Sequence, residues 1–414
     1  MEEIVGLSAK ERARLVELEQ VKAGRQTVVA AAERLSMSGR QGKRIWKRYR
    51  AEGAKGLVHR SRGRPSNRKL DPDSKRQSLE LCRTRLEGFG PTLAAEKLAE
   101  VGLRVSHETL RRWLIVEGLW KKKRKRGPHR RWRPPKEHFG ELVQMDGSFH
   151  DWLETGQEPC LLDMVDDATA NMEGEFFEQE TTEGAMRVLW QWIKRYGIPR
   201  ALYTDHKNLY VADREPTVDE QLAGRPALTA FGRACHKLGI QIIPAASPQA
   251  KGRIERRHGV LQDRLVKELR LRGIKDLKSA NDLLAGGFIE TINEKFGHSP
   301  ASSINYHRRV PSGMRLEDVF VFEEQRTVQN DWTVAWDSRW FQISGPKGQM
   351  PRRRERIVVR RRLDGSRALL HRGRDLEFHE IQQRPSRTPQ IKTAALPVSP
   401  PPGCQLPTTR GKHR

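Results

Sequence analysis

The sequence predicts a multidomain protein with an all-α N-terminal part, an α/β domain and a small C-terminal β-barrel. Two segments, 8–50 and 72–117, each contain three stretches of helical apolar periodicity. Residues 141–272 alternate short apolar strands with amphipathic helices, and residues 326–380 alternate as short strands. With 414 residues, the chain is long enough for about two to four such domains.

The composition indicates a polyanionic partner. Lys and Arg number 78 against 52 Asp and Glu, so the net charge is +26. Such a charge is typical of nucleic-acid binding, and a solvated basic surface is the alternative. The four cysteines lack CxxC spacing, which argues against a zinc knuckle or a disulfide framework. The sequence contains neither a signal peptide nor a membrane span, so we expect a soluble cytoplasmic protein with no membrane partner.

The first trio of helices predicts a helix-turn-helix DNA-binding domain over residues 1–54. Ser8 and Glu11 have the spacing of a capping box at the start of the first helix. The third helix, from about residue 38 to 50, is basic and follows a tight turn, as a recognition helix does. A three-helix bundle with a solvated basic face is the alternative. The predicted DNA-binding side chains of this helix are Arg40, Lys43, Arg44 and Lys47.

A second helix-turn-helix domain is predicted over residues 71–120, after a basic, Gly- and Pro-containing linker at 55–70. Its helices are expected at about 72–87, 91–100 and 106–117. In the last of these, Ser106 can cap the helix, Leu110 and Leu114 point inward, and Arg111 and Arg112 are the DNA-binding candidates.

A basic strap is predicted between this domain and the next, at residues 121–137. It contains a dense run of Lys and Arg, and three prolines prevent it from forming one helix. We expect it to be disordered and to lie against DNA. The alternative is a linker whose charge only aids solubility.

The charge then reverses, because 14 acidic and only 4 basic residues lie between Glu141 and Asp205. An acidic pocket would repel DNA unless divalent cations neutralised it, so this region indicates a metal site. The order of three strands, helix, strand, helix, strand, helix predicts a five-stranded α/β sheet of mixed direction. The predicted strands are 141–146, 160–165, 174–177, 200–204 and 240–243.

Three carboxylates of this region are predicted to be catalytic residues and metal ligands. Asp146 and Asp205 end the first and fourth strands, and adjacent strand ends bring side chains together. Glu255 lies in the first turns of the long helix that follows the fifth strand, at the edge of its apolar stripe. Each acid alone could be an ordinary cap or surface residue. Together they fit a site for two Mg²⁺ or Mn²⁺ ions that cleaves phosphodiesters.

Two further residues, Lys251 and His258, fall on the same side of that helix as Glu255. They are predicted to contact phosphates beside the scissile bond and so belong to the DNA-binding set.

Three motifs resemble the integrase catalytic core of bacterial insertion-sequence transposases, most closely the ISNCY group, and more distantly retroviral integrases. They are QMDGS at 144–148, YTDHKNLY at 203–210 and SPQAKGRIERRHGVLQDRL at 247–265. The resemblance covers nearly the whole chain. It implies an RNase H-like core over residues 138–300, dependence on Mg²⁺ or Mn²⁺, recognition of terminal inverted repeats and of target DNA, and work as a homo-oligomer.

The family's three acids map onto Asp146, Asp205 and Glu255, and its Lys-Gly-Arg-x-Glu run begins at Lys251. Two features depart from the pattern. The common Thr-Asp-Asn-Gly motif has His206 and Lys207 after the Asp here. The interval from Asp205 to Glu255 is also wider than usual, which fits a polar surface insertion at about 212–225.

The C-terminal part is predicted to form a small basic β-barrel over residues 326–380 and a disordered tail over 383–414. Asp337-Ser338 and Asp364-Gly365 are turn signals between alternating stretches of the barrel. The tail is rich in Pro, Ser, Thr and basic residues and has little apolar content.

The resemblance implies a DDE transposase, which binds element ends, cuts DNA and joins the ends to target DNA. A non-catalytic regulator with two helix-turn-helix domains would account for residues 1–136 but not for the acidic region. An RNase H-like nuclease that only hydrolyses would use the same carboxylates. An inactive, degenerate copy is disfavoured because all three acids are present.

Overall fold

The structure is a computed structural model that describes residues 6–63, 70–121, 133–216, 221–222, 224, 226–245, 252–346, 348 and 350–382. The chain divides into two units, Met1–Lys123 and Arg124–Arg414. Among the described residues, every helix is too short or too polar to span a membrane.

The first three helices of the N-terminal unit agree with the prediction. They are α1 (Ala9–Lys22), α2 (Val28–Arg34) and α3 (Gly39–Glu52). The Glu11 carboxylate accepts a hydrogen bond from the Ser8 backbone N–H at 2.8 Å, which confirms the capping box. Ile45 and Tyr49 of α3 pack into a small core with Leu18 of α1.

This first domain extends beyond residue 54, into the segment predicted to be a linker. A 3₁₀ helix, Gly53–Leu57, follows α3, and Leu57 is fully buried in the core. Glu11 also accepts hydrogen bonds from the His59 N–H at 3.3 Å and from Arg62 at 2.5 Å. A single leucine in a basic segment has no periodicity, which is why the sequence pattern did not reveal this packing.

The second trio also forms, as α4 (Pro72–Thr84), α5 (Pro91–Glu100) and α6 (His107–Val116). The Ser106 side chain caps α6 by accepting a hydrogen bond from the Thr109 N–H at 3.2 Å, and Leu110 and Leu114 are buried as predicted. Of the predicted basic strap, residues 122–132 lie outside the described residues.

The second unit contains the predicted mixed five-stranded sheet, with strand order β3-β2-β1-β4-β5. The first three strands are antiparallel, and β4 and β5 run parallel to β1. This is the topology of the RNase H-like fold. The strands are β1 (Val143–Phe149), β2 (Cys160–Asp166), β3 (Met172–Phe177), β4 (Ala201–Thr204) and β5 (Gln241–Pro244).

Helices cover both faces of this sheet. On one face, α7 (Thr182–Tyr196) and α8 (Ala230–Leu238) share an apolar core with Val143 and Met145 of β1. On the other face, the long helix α9 (Gly252–Arg272) packs through Ile254 and Leu261 against Leu161 and Val165 of β2. Alternate residues of β1 and β2 therefore point to opposite helical layers.

The strand that bears Asp146 is longer than predicted. β1 continues to Phe149 because it pairs with β2 along its whole length. The prediction that Asp146 ends this strand is therefore wrong. Its pairing with β4, however, stops at Gln144, so Asp146 does lie just beyond the end of that shorter partner strand.

The remaining helices are α10 (Leu277–Leu283), α11 (Ile289–Phe296) and the short α12 (Leu316–Val319), with a π turn at Leu284–Phe288 between the first two. The turn separates α10 from α11, and within it Gly287 has a φ of 109°.

A six-stranded antiparallel sheet follows, in the order β6-β9-β10-β11-β8-β7, and its edge strands β6 and β7 contact one another, so it is nearly a closed barrel. Its strands are β6 (Val321–Thr327), β7 (Thr333–Trp336), β8 (Arg339–Ser344), β9 (Arg356–Arg362), β10 (Arg367–His371) and β11 (Arg374–Ile381). The predicted tail, 383–414, lies outside the described residues.

Candidate active site

The two predicted catalytic aspartates occupy equivalent positions on neighbouring parallel strands. The pairing of β1 with β4 matches Val143 to Leu202 and Gln144 to Tyr203. Continued by two residues, this register sets Asp146 level with Asp205, the first residue after β4. Neighbouring strands lie about 4.8 Å apart. Residues that are far apart in sequence are thus side by side at this end of the sheet.

A third aspartate, Asp163, belongs to the same row. The antiparallel pairing of β1 with β2 sets it directly opposite Asp146, and paired residues project from the same face of a sheet. Asp163 is fully buried. It is missing from the predicted site, although an acid inside the otherwise apolar stretch CLLDMV was a usable signal.

Helix α9 lies across this face of the sheet and is held by side chains of β1. The Gln144 side-chain oxygen accepts a hydrogen bond from the Ile254 N–H at 3.2 Å. About two helical turns further along, the Gln262 amide lies 3.5 Å from the Ser148 hydroxyl. His258 is midway between Ile254 and Gln262 on the helix, and Asp146 is midway between Gln144 and Ser148 on the strand. His258 is consequently at the level of Asp146.

His258 faces into the protein. Its Nε2 lies 2.6 Å from Asp163 Oδ1, and only 11% of its side chain is exposed. This placement differs from the predicted phosphate contact, because the buried carboxylate of Asp163 draws the ring toward the sheet. Burial lowers the pKa of His258, but the carboxylates of Asp163, Asp146 and Glu255 raise it more, so that its pKa lies above the ordinary histidine value.

Glu255 is exposed in the first turn of α9. Its carboxylate and that of Asp146 both raise the pKa of His258, so both acids lie within electrostatic reach of this histidine. The start of this helix is fixed by Asp167, which accepts hydrogen bonds from Arg253 at 2.8 Å and from Gln144 at 2.9 Å. Lys251, the other predicted phosphate contact on this helix, lies outside the described residues.

A further acid, Glu180, lies beside the aspartate row and was also missed. The Lys207 ammonium contacts Glu180 at 2.5 Å and Asp205 at 3.0 Å. A Cβ atom added to Gly147 would come within 3.0 Å of the Glu180 carboxylate, which therefore lies against β1 next to Asp146. Burial opposes protonation of Lys207, but its bonds to Glu180 and Asp205 raise its pKa above the ordinary lysine value.

Three of these acids have protein partners in this structure: Asp205 and Glu180 contact Lys207, and Asp163 contacts His258. Within the described residues, no group of three or more His, Cys, Asp or Glu side chains is arranged closely enough to hold a metal ion.

The predicted DNA-binding side chains of the two N-terminal domains differ in their surroundings. Arg40, Lys43, Arg44 and Lys47 are all exposed on α3. On α6, by contrast, Glu108 pairs with both Arg111, at 2.7 Å, and Arg112, at 3.2 Å. The hydrogen bonds from these arginines lower the pKa of Glu108 to about 2, so it stays ionised and offsets part of their charge.

Comparison with known families identifies the N-terminal unit. A helix-turn-helix domain family matches residues 11–66, and a homeodomain-like domain family matches residues 41–114. The two N-terminal segments, each of which contains one predicted recognition helix, are therefore helix-turn-helix regions, as predicted.

Two curated relatives match most of the chain. The protein named "Putative transposase y4bF" of Sinorhizobium fredii is 40% identical over 339 residues, which cover 81% of this chain and 73% of that protein. The transposase for insertion sequence IS1202 of Streptococcus pneumoniae is 29% identical over 364 residues, which cover 78% of this chain and 76% of that protein.

Among solved structures, the catalytic core domain of HTLV-2 integrase in complex with magnesium aligns with 36% of this chain and 85% of its own. The sequence identity is 17% and the TM-score is 0.27.

Proposed function

Since this chain belongs to the transposase family of insertion sequences, we propose that it is a DDE transposase that binds terminal inverted repeats and catalyses metal-dependent DNA strand cleavage and strand transfer. The observation that carries this proposal is the β1–β4 register, which sets Asp146 level with Asp205 beneath the helix that bears Glu255. A regulator that only binds DNA has no use for such an arrangement.

We assign Asp146 as the ligand shared by two Mg²⁺ or Mn²⁺ ions, Asp205 as a ligand of one and Glu255 as a ligand of the other. Carboxylate oxygens are the ligands these ions prefer. The position of the Lys207 ammonium, between Asp205 and Glu180, supports the fit, because a cation already neutralises the pocket there. Bound ions of this kind activate a water or a 3′-hydroxyl and stabilise the leaving oxygen.

The other residues of the chain bind and orient the DNA in this proposal. The exposed basic side chains of α3, with Arg111 and Arg112 of α6, bind element ends through phosphates and base edges. Lys251 contacts a phosphate beside the cut. Lys207, which contacts Glu180 and Asp205, would be available to the DNA backbone beside the site. The protein works on DNA as a homo-oligomer, because two element ends must be joined to one target.

A nuclease that only hydrolyses DNA is the second candidate, since it would use the same carboxylates. The two differ in the nucleophile of the second step, which is the 3′-hydroxyl of the element end in a transposase and water in a nuclease.

The test uses the full-length protein, a labelled element end and plasmid DNA, with and without Mg²⁺. We expect a labelled joined product that requires Mg²⁺ and a free 3′-hydroxyl, and that is absent when the donor end is 3′-dideoxy. Hydrolysed ends without any joined product would favour the nuclease. Binding without either product would favour the regulator.

A further inference from the structure

A buried contact between Asp163 and His258 connects the aspartate row to the helix that bears Glu255. Asp163 is fully buried, with a relative accessibility of 0%, and its Oδ1 lies 2.6 Å from His258 Nε2. Its other oxygen, Oδ2, has no hydrogen-bond partner among the described residues. A buried charge is expensive unless it is well paired, and an apolar pair of similar volume is often more stable. The core therefore keeps these two polar residues at a cost.

The neighbouring strand is shaped to accept this pair. Gly174 of β3 lies directly opposite Asp163, and a Cβ atom added there would approach the Asp163 Cβ to 2.9 Å. Any larger residue would push Asp163 away from His258, so the packing leaves room for this aspartate.

The pair also joins the two parts of the proposed site. Asp163 is the cross-strand partner of Asp146. His258 follows Glu255 by three residues on α9, which is slightly less than one helical turn. Its flanking contacts, from Ile254 to Gln144 and from Gln262 to Ser148, are longer neutral hydrogen bonds of 3.2 and 3.5 Å. The contact between His258 and Asp163, at 2.6 Å, is the shortest of the three.

We propose that Asp163 and His258 are a positioning pair, which fixes the rotation and height of α9 over the sheet and so holds Glu255 toward Asp146 and Asp205. Neither residue touches DNA or the reacting atoms. This inference rests on the proposed function for its catalytic consequence, but the position of the helix is measurable without activity.

Four substitutions in the full-length protein separate positioning by this contact from direct metal binding by Asp163. Asp163→Val and His258→Ala remove the contact. Asp163→Asn keeps the shape and an acceptor oxygen, and His258→Gln keeps a donor. His236→Ala is the matched control, because His236 is an exposed histidine on α8.

Three measurements apply to each variant: hydrogen exchange of the Ile254 amide, Mn²⁺ affinity without DNA, and cleavage of a labelled element end. We expect Asp163→Val and His258→Ala to speed exchange at Ile254 about tenfold and to slow cleavage about 100-fold, as a displacement near 1 Å does. Mn²⁺ affinity should fall in the same two variants, while binding of the element end stays unchanged. Asp163→Asn, His258→Gln and the control should stay within about threefold of the unmodified protein.

Wild-type exchange and cleavage in His258→Ala would overturn the proposal. So would a loss of Mn²⁺ affinity in Asp163→Asn equal to that in Asp163→Val, because Asp163 would then act through its charge as a metal ligand. If a truncated variant does not fold, His258→Asn carries the same expectation, since its shorter side chain cannot reach Asp163. If the unmodified protein neither cleaves nor binds Mn²⁺, the proposed function fails, and the exchange of Ile254 still decides whether the pair positions α9.

Discussion

Asp205 lies beside a basic residue as well as other acids, because Lys207 contacts both Asp205 and Glu180. The Lys207 ammonium bridges two carboxylates at 2.5 and 3.0 Å. In the proposed enzyme the Lys207 ammonium would compete with a divalent cation for Asp205. The lysine offsets part of the negative charge at this end of the sheet.

Replacement of Lys207 by Met should therefore tighten Mn²⁺ binding in the absence of DNA by about tenfold, because a competing charge at a few ångströms is removed. Electron paramagnetic resonance titration of free Mn²⁺ measures this affinity. The control is Lys237→Met, which removes a lysine that contacts Glu323 at 3.3 Å, away from the aspartates. An unchanged or weaker affinity in Lys207→Met would show that this lysine does not compete with the metal.

Glu11 gives the first helix-turn-helix domain a dependence on pH. Hydrogen bonds from the backbone and side chain of Ser8 lower its pKa from 4.5 to about 2. Because the folded-state pKa is depressed, the stabilisation is present above about pH 4.5 and is lost as the pH falls toward 2.

Glu11→Gln should remove this part of the pH dependence. Amide hydrogen exchange in α1, measured at a series of pH values between 5 and 2 and corrected for intrinsic rates, tests the effect. We expect protection to fall with pH in the unmodified protein and to be lower but nearly constant in the variant. Parallel pH profiles in the two proteins would contradict the assigned role of Glu11.

At the scale of elements, the packing of α9 on the sheet determines where Glu255 lies. Two glycines illustrate how differently the two layers tolerate added volume. In β3, a Cβ atom at Gly174 would lie 2.9 Å from the Asp163 Cβ and 3.1 Å from the Leu162 carbonyl oxygen. In α9, a Cβ atom at Gly259 would meet no atom within 4 Å.

Gly174→Ala should destabilise the second unit by about 1–3 kcal/mol, because overpacking forces the strands apart. Gly259→Ala should instead stabilise it by about 0.5–1 kcal/mol, because alanine loses less conformational entropy in a helix. Chemical denaturation followed by the fluorescence of the buried tryptophans Trp152 and Trp192 compares the two. Equal effects of the two substitutions would contradict the packing described for β3 and α9.

At the scale of the whole molecule, local signals predicted most of the fold. Caps such as Ser8 and Ser106 and the apolar periodicity located the helices, and the order of strands and helices predicted the mixed sheet. Asp146 and Asp205 were predicted as site residues because each lies at a strand pattern within a recognisable motif. These are properties of contiguous sequence.

The rest of the site depends on register, which contiguous sequence does not contain. Asp163 faces Asp146 only because β2 pairs with β1 in one particular alignment. Glu180 and Lys207 meet across 27 residues, and His258 turns inward because Asp163 is there. Leu57 likewise packs through a tertiary contact and not through periodicity. The sequence pattern thus selected Asp146, Asp205 and Glu255 as candidate site acids, but not the residues that contact them.

The charge of the molecule is divided in the way the proposed function requires. The whole chain has a net charge of +26 although the region between residues 141 and 205 is acidic, so the positive charge lies in basic segments on both sides of that region in sequence. Basic segments attract DNA at long range, and an acidic site admits the phosphodiester only once cations are bound.

The central claim is that Asp146, Asp205 and Glu255 act together as metal ligands. The most direct measurement is Mg²⁺-dependent cleavage of a labelled element end by full-length Asp146→Asn, Asp205→Asn and Glu255→Gln, with Glu158→Gln as the control, since Glu158 is an exposed acid of the same region. We predict that each of the three variants loses cleavage by at least about 1000-fold and still binds the element end, whereas the control cleaves normally. Cleavage at the unmodified rate by any one of the three would contradict the account.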